Sequence, residues 1–262
     1  MAARAIWKGV IRFGKTNVPV RLFSAVEDHT VHFRLLHRKD RTPVKQRLIN
    51  PSNGKEVAYA DVRKAYEVSR GVFVLLDEEE LARLEPAPSK DIEITRFVDP
   101  SEIDHRWYER PYFLGPDGDD EAYFALAAAL AKEGREGVAR WTMRKKEYVG
   151  ALRVEDGYLV LVSLHHADQV IATSGLEAPQ GRAIEKRERD MAQQLVESLA
   201  ADFHPEEFHD QYRERVMELV ETKRRGGKVK VTKFRPKPTE EPSLAKTLEA
   251  SLARSGKGKK SA

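Results

Sequence analysis

Gly137-Val-Ala-Arg-Trp-Thr-Met143, Tyr148-Val-Gly-Ala-Leu-Arg-Val154 and Tyr158-Leu-Val-Leu-Val-Ser-Leu164 are three consecutive runs rich in β-branched, aromatic and apolar residues. Each has the length and composition of one strand. Asp156-Gly157 separates the last two, a pair suited to a tight hairpin turn. The reading is therefore three successive antiparallel strands. Working outward, the same period of two recurs at Val18, Val20 and Leu22, and at Val31, Phe33 and Leu35 with His32 and Arg34 opposite. It appears again at Val72, Val74 and Leu76, and at Ile92 and Ile94. Asn53-Gly54 falls between Lys45–Ile49 and Glu56–Tyr59, and such a pair supplies the positive φ angles of a hairpin. Many short strands predict a barrel or a sandwich, so the fold class is mainly β with some α.

Two helices interrupt the strands. One opens at Asp77 with Glu80 three residues on, a capping-box spacing; the other runs from Glu121 to Lys132 and stops at Gly134, with Asp120 as its cap. After Pro179 and Gly181 the period changes, with Met191, Leu195, Leu199 and Phe203 four apart. Phe208, Tyr212, Val216 and Leu219 follow beyond His204-Pro205, which predicts two amphipathic helices. Pro205, Glu206 and Glu207 suit the first turn of the second helix, and Lys223, Arg224 and Arg225 its last, before Gly226-Gly227. From there Lys, Pro, Ser and Gly dominate, and the composition reads as a mobile basic tail. The expected organisation is a core at 1–180, a helical arm at 181–225 and a Lys-rich tail at 226–262.

Charge is sorted along this chain. Residues 1–65 carry fourteen Lys/Arg against five Asp/Glu, residues 66–137 eight against eighteen, and residues 226–262 ten against three. The formal net of +4 hides two basic regions, which direct a polyanion to one surface and away from another. Nucleic acid is the first candidate partner. Cysteine is absent, which excludes disulfides, thiolate metal sites and a Cys nucleophile. Neither the start, from Met1 to Lys15, nor any later stretch has an apolar run of signal or membrane-span length. The expectation is a soluble cytoplasmic protein, associated with the nucleoid rather than with a membrane.

At the level of whole motifs, Arg4-Ala-Ile-Trp-Lys-Gly-Val-Ile-Arg-Phe-Gly14, Asn17-Val-Pro-Val-Arg-Leu-Phe-Ser-Ala25, Phe33-Arg-Leu-Leu-His37 and Ala139-Arg-Trp-Thr-Met-Arg-Lys-Lys-Glu147 resemble the bacterial Ku family in order and spacing. The resemblance runs through Ala167-Asp168 to Glu221-Thr-Lys223 and leaves only the tail outside. It implies a Ku-type antiparallel barrel with a bridging hairpin at about 30–65, and a homodimer that encloses double-stranded DNA as a ring threaded from a free end. It further implies a role in non-homologous end joining, recruitment of the ATP-dependent end-joining ligase D, and no cofactor. Where some relatives carry a cysteine pair near the hairpin, this chain has Asn50-Pro-Ser-Asn53-Gly54. A zinc clip is thereby excluded, while Asn53-Gly54 remains able to close the turn.

A protein that accepts any broken end must grip phosphate and sugar with Lys and Arg rather than read bases. Arg34, His37, Arg38, Lys39, Arg41, Lys45, Arg47 and Lys55 crowd the hairpin and its approach, with Asp40 as the acid among them. These are the expected phosphate-facing set; the competing reading is a β-edge kept soluble by charge. Lys8, Arg12, Arg140, Arg144 and Lys145 are candidates for the same cradle, although strand alternation turns some of them outward. Lys228, Lys230, Lys233, Lys257, Lys259 and Lys260 would give the tail its own DNA contacts. By the resemblance, Leu195, Leu199, Phe208, Tyr212 and Val216 are the expected ligase-docking residues, against a bland reading in which they pack on their own barrel.

The opposing class is an enzyme. Its candidate constellations are His165-His166 with Asp168, His204 with His209, and the acidic loop Asp117–Glu121. None has the spacing of a metal or phosphate site: the two later histidines are five apart across Pro205, and no Gly-rich loop ends in Lys-Ser/Thr. No catalytic residue and no bound metal are expected. A second non-enzymatic reading is a general protein that coats duplex DNA with basic arms, which charge alone does not separate from an end clamp.

Overall fold

Alternation in the sequence becomes a closed barrel because each strand has one face to bury. The computed structural model describes residues 4–176, 183–226, and 248, 249 and 251. The chain opens with the hairpin Trp7–Phe13 (β1) and Thr16–Ser24 (β2), then leaves on a long excursion. That excursion carries a second hairpin, Lys64–Ser69 (β3) with Val72–Leu76 (β4), and a short helix, Glu78–Leu84 (α1). It returns as Asp91–Val98 (β5) and Tyr108–Pro116 (β6), followed by the helix Asp120–Glu133 (α2) and the strands Glu136–Met143 (β7), Lys146–Glu155 (β8) and Tyr158–Leu164 (β9). Beyond lie the helices Lys186–Ser198 (α3) and Gln211–Arg224 (α4).

The barrel order is β1-β2-β6-β9-β8-β7-β5, and β3 and β4 pair only with each other. Neighbours in the barrel run antiparallel, except that β1 meets β5 in parallel, with Val10 beside Asp91 and Arg12 beside Glu93. The three runs 137–143, 148–154 and 158–164 are adjacent antiparallel strands as expected. Asp156 and Gly157 take φ of 50° and 81° between the last two, the left-handed pair that matches strand twist. Alternation sends Ile11, Val18, Val20, Leu22, Ile92, Leu114, Leu152, Leu159 and Leu161 into one core, each such side chain contributing about 1.5–3 kcal/mol when removed from water.

Helix α2 adds Tyr123, Leu126, Ala127 and Leu130 to that core. Tyr123 is fully buried, and its hydroxyl donates to the Leu114 carbonyl at 2.6 Å while accepting the Leu159 N–H at 2.9 Å. One side chain thus joins α2 to β6 and β9. Burial raises the Tyr123 hydroxyl above its ordinary value. At the other end of β6, the Tyr108 hydroxyl donates to the buried Glu136 carboxylate at 2.8 Å, whose second oxygen lies 3.3 Å from Arg153 Nε. Desolvation, then the bond to Glu136, pushes Tyr108 up to about 12. Gly150 is required where it stands, because an added Cβ would lie 2.6 Å from both the Trp141 ring and the Val162 carbonyl.

Several expectations are corrected. The alternation of Val31, Phe33 and Leu35 forms no strand; a single bridge, Leu36 to Pro43, stands nearby. Residues from Phe23 to Asp91 bury no side chain, and within them β3 and β4 are strands because they pair with each other, whereas Val31–Leu35 meets no partner strand among the described residues. Asn53-Gly54 does not form a two-residue turn: Asn50 N–H donates to the Lys55 carbonyl at 2.9 Å around a longer loop, and Gly54 alone takes a positive φ, 70°. Asp119, not Asp120, caps α2, its carboxylate accepting the Ala122 N–H at 3.0 Å, and Gly134 ends that helix at φ 59°.

In the C-terminal helices, α3 stops at Ser198, so Leu199 and Phe203 lie past its end. Pro205–Glu207 is a separate 3-10 turn rather than the start of α4. Asp210 starts that helix by accepting the N–H groups of Tyr212 and Arg213, each at 3.0 Å, and the carboxylate cap outcompetes the proline signal upstream. Phe208 is therefore outside α4; its ring stacks on Phe203 at 5.4 Å. The described residues divide into two compact units, one holding the residues up to His29 with Phe33–Gly175, the other Thr30–His32 with those from Leu176 onward. No helix among them is long and apolar enough to cross a membrane.

Candidate nucleic-acid interface

The cations between Arg34 and Lys55 sit on two consecutive loops. In the first, His37 N–H donates to the Thr42 carbonyl at 2.8 Å and Arg41 N–H to the His37 carbonyl at 2.9 Å. Arg41 adopts φ 61° to complete the turn. Asp40 organises it from inside: Oδ1 accepts the Thr42 N–H at 3.0 Å and the Thr42 hydroxyl at 2.7 Å, and lies 2.8 Å from His37 Nδ1. The Thr42 backbone bond, then the Thr42 hydroxyl and His37, hold the Asp40 carboxyl below its ordinary value. The one acid in this stretch is thus engaged by its own loop.

The second loop is held by asparagines. Asn50 Oδ1 accepts the Ser52 N–H at 2.9 Å, Asn53 Oδ1 accepts the Lys55 N–H at 3.0 Å, and Val57 N–H donates to the Leu48 carbonyl at 2.8 Å. An ion pair between Arg47 and Glu56 crosses it beside the Ile49–Glu56 bridge. Short Asn and Asp side chains that bond backbone two residues on make such loops without a core.

Ion pairing divides the candidate cations into two groups. Arg47 is paired to Glu56, Lys8 to Asp117 at 3.0 Å, Arg12 to Asp91 at 2.7 Å and Lys145 to Glu85 at 2.9 Å, and His37 faces Asp40. Arg34, Arg38, Lys39, Arg41, Lys45, Lys55, Arg140 and Arg144 have no carboxylate within ion-pair distance among the described residues. All eight are exposed. Arg140 lies on the outer face of β7 opposite Glu93. Arg144 and Lys145 form the two-residue turn from β7 to β8, with φ of 51° and 65°. Residues other than Gly or Asn hold that backbone at a cost of order 1–3 kcal/mol each, so two cations are displayed at a strained tip. The tail candidates Lys228, Lys230, Lys233, Lys257, Lys259 and Lys260 lie outside the described residues.

Some members of the enzyme constellations have local structural partners. Asp117 pairs with Lys8 and lies 3.6 Å from Arg21, and Asp119 caps α2. His165 and His166 have backbone N–H bonds to Trp107 and Gln169, and His204 lies 3.4 Å from Glu206. Among the described residues no three His, Asp or Glu side chains converge as metal ligands. Composition revealed the basic stretch; which of its members are neutralised was not legible, because Asp117, Asp91 and Glu85 are brought to Lys8, Arg12 and Lys145 by the barrel from far along the chain.

Of the proposed docking side chains, Leu195 and Val216 are half-buried, while Leu199, Phe208 and Tyr212 are exposed. The same holds along β3 and β4, where Tyr66, Val68, Val72, Phe73, Val74 and Leu75 are all exposed. Together these features define a barrel protein with a cationic, coreless arm inserted between two of its strands. The model of the Ku70/Ku80 beta-barrel domain matches residues 12–194. The chain is 39% identical over 253 residues to the non-homologous end joining protein Ku of Anaeromyxobacter sp. (strain K), covering 96% of this chain and 86% of that one. It is 34% identical over 264 residues to the protein of the same name from Mycobacterium tuberculosis (strain CDC 1551 / Oshkosh), covering 99% and 97%. The Archaeoglobus fulgidus protein of that name is 36% identical over 253 residues, covering 95% and 98%. This chain belongs to the Ku family.

Proposed function

We propose that this protein binds the ends of double-stranded DNA in non-homologous end joining, as a homodimer whose paired arms and barrels close a ring around the duplex. The observation that carries the reading is the arm itself: from Phe23 to Asp91 no side chain is buried, yet Tyr59 is 82%, Leu75 68% and Phe73 60% exposed. Apolar side chains in such density stay soluble when a partner covers them, and a second copy brings an identical set by symmetry. The unpaired cations Arg34, Arg38, Lys39, Arg41, Lys45 and Lys55 then face a polyanion without reference to its sequence. The names carried by the relatives, each a non-homologous end joining protein Ku, support the same role.

In this reading the ring carries no chemistry. It marks the break and recruits the end-joining ligase D through α3, α4 and the segment between them, where Leu199, Phe208 and Tyr212 stand exposed. The tail lysines add contacts beside the ring and raise the local concentration of DNA.

The deciding experiment is a competition between a linear duplex and the same DNA as a covalently closed circle. A threaded ring requires an end, so the circle competes far less well. Equal competition would instead support a protein that coats duplex anywhere along its length.

A further inference from the structure

Among the described residues of the unit that holds α3 and α4, two are buried: Glu188, at 5% exposure, and Leu248, at 8%. The first is in α3; the second lies far along the chain, in the stretch whose composition reads as a basic tail. A leucine reaches that exposure only where other atoms cover it. An adjacent ion pair identifies the surface: Arg187 Nη2 lies 2.7 Å from Glu249 Oε1. Arg187 precedes Glu188 and Glu249 follows Leu248, so the ion pair joins the positions next to the two buried residues. Leu248, Glu249 and Ser251 are themselves helical. The sequence places Leu244, Leu248 and Leu252 four apart, the spacing of one helical face. On α3, Met191, Ala192 and Leu195 continue from Glu188 at helical intervals and are half-buried, a stripe fitted to receive that leucine.

We propose that the segment around Leu248–Ser251 is a latch that docks on α3, so that a protein partner using that face must first displace it. A single buried leucine with an exposed ion pair makes a contact weak enough to exchange. The identity of the displacing partner rests on the reading of α3 as a ligase-docking surface; the latch does not.

Hydrogen exchange on the full-length protein tests the latch. Leu248→Asp is expected to accelerate exchange of the α3 amides about tenfold, with the barrel strands unchanged. Arg187→Glu and Glu249→Arg should each accelerate it less, and the double swap Arg187→Glu/Glu249→Arg should restore protection. Unchanged α3 exchange in Leu248→Asp overturns the latch, as does a double swap that fails to restore protection. Titration with purified end-joining ligase separates the second layer. Tighter binding by Leu248→Asp supports competition for α3, whereas unchanged affinity alongside faster α3 exchange overturns ligase docking there and leaves the latch in place.

Discussion

Asp40 Oδ1 stands 2.8 Å from His37 Nδ1, inside a loop whose remaining cations, Arg38, Lys39 and Arg41, have no carboxylate of their own among the described residues. Hydrogen bonds from Thr42 first, then His37, lower the Asp40 pKa from its ordinary 3.8. A carboxyl whose folded pKa is depressed stabilises the loop fully above the unfolded value and loses that contribution as pH falls through the folded one. The loop is therefore expected to hold its form down to pH 3.8 and to loosen below it. Carboxyl NMR of Asp40 checks this: a midpoint at or above 3.8 refutes the geometry.

Charge reversal at Arg38, Lys39 and Arg41 together should weaken binding to a linear duplex and flatten its salt dependence, by roughly 0.9 in log–log slope for each phosphate left unneutralised. All three side chains are exposed, so folding should be unaffected. Fluorescence anisotropy across a salt series measures both quantities. An unchanged slope removes this loop from the DNA surface.

Tyr123→Phe should cost about 1–3 kcal/mol of stability, because it leaves the Leu159 N–H and the Leu114 carbonyl buried without their partner. Urea unfolding reads the difference. A loss below roughly 0.5 kcal/mol would mean the two strands find other partners.

Phe73→Asp together with Leu75→Asp should yield a monomer in sedimentation and abolish tight DNA binding while preserving the barrel's near-ultraviolet dichroism. Both side chains lie on β4, outside the core, so destabilisation of the barrel is not expected. A dimer that survives both changes places the interface elsewhere.

Arg144→Asn with Lys145→Gly should raise the melting temperature, since that pair occupies the left-handed turn at lower cost, about 1 kcal/mol or more in total. If the turn also faces DNA, the same variant binds more weakly. No change in thermal stability would argue that neighbouring interactions offset the strain of the native pair.

The barrel was legible where period-two runs met turn residues: β7, β8 and β9 and the helix ending at Gly134 lie as their residues predict. Between Phe23 and Lys64 the same pattern misled, since Phe33 and Leu35 alternate with polar neighbours but have no sheet to join. The basic cluster was visible from composition alone. Its division into paired and unpaired cations was not, because Lys8 meets Asp117 and Lys145 meets Glu85 only after the barrel closes. The burial of Leu248 was hidden in a lysine-rich stretch, where composition does not single out one leucine.

The parallel seam between Val10–Arg12 and Asp91–Glu93 sets a timetable for biosynthesis. The opening hairpin emerges from the ribosome early, but its outer edge stays uncovered until the whole arm has been translated and Asp91 arrives. Nascent chains therefore pass through an interval with both hairpin edges unsealed, since β2 also waits for β6, and no finished core, when chaperones have most to protect. Lengthening the arm prolongs that interval without touching the finished barrel, so insertions there should lower the yield of soluble protein before they lower its stability.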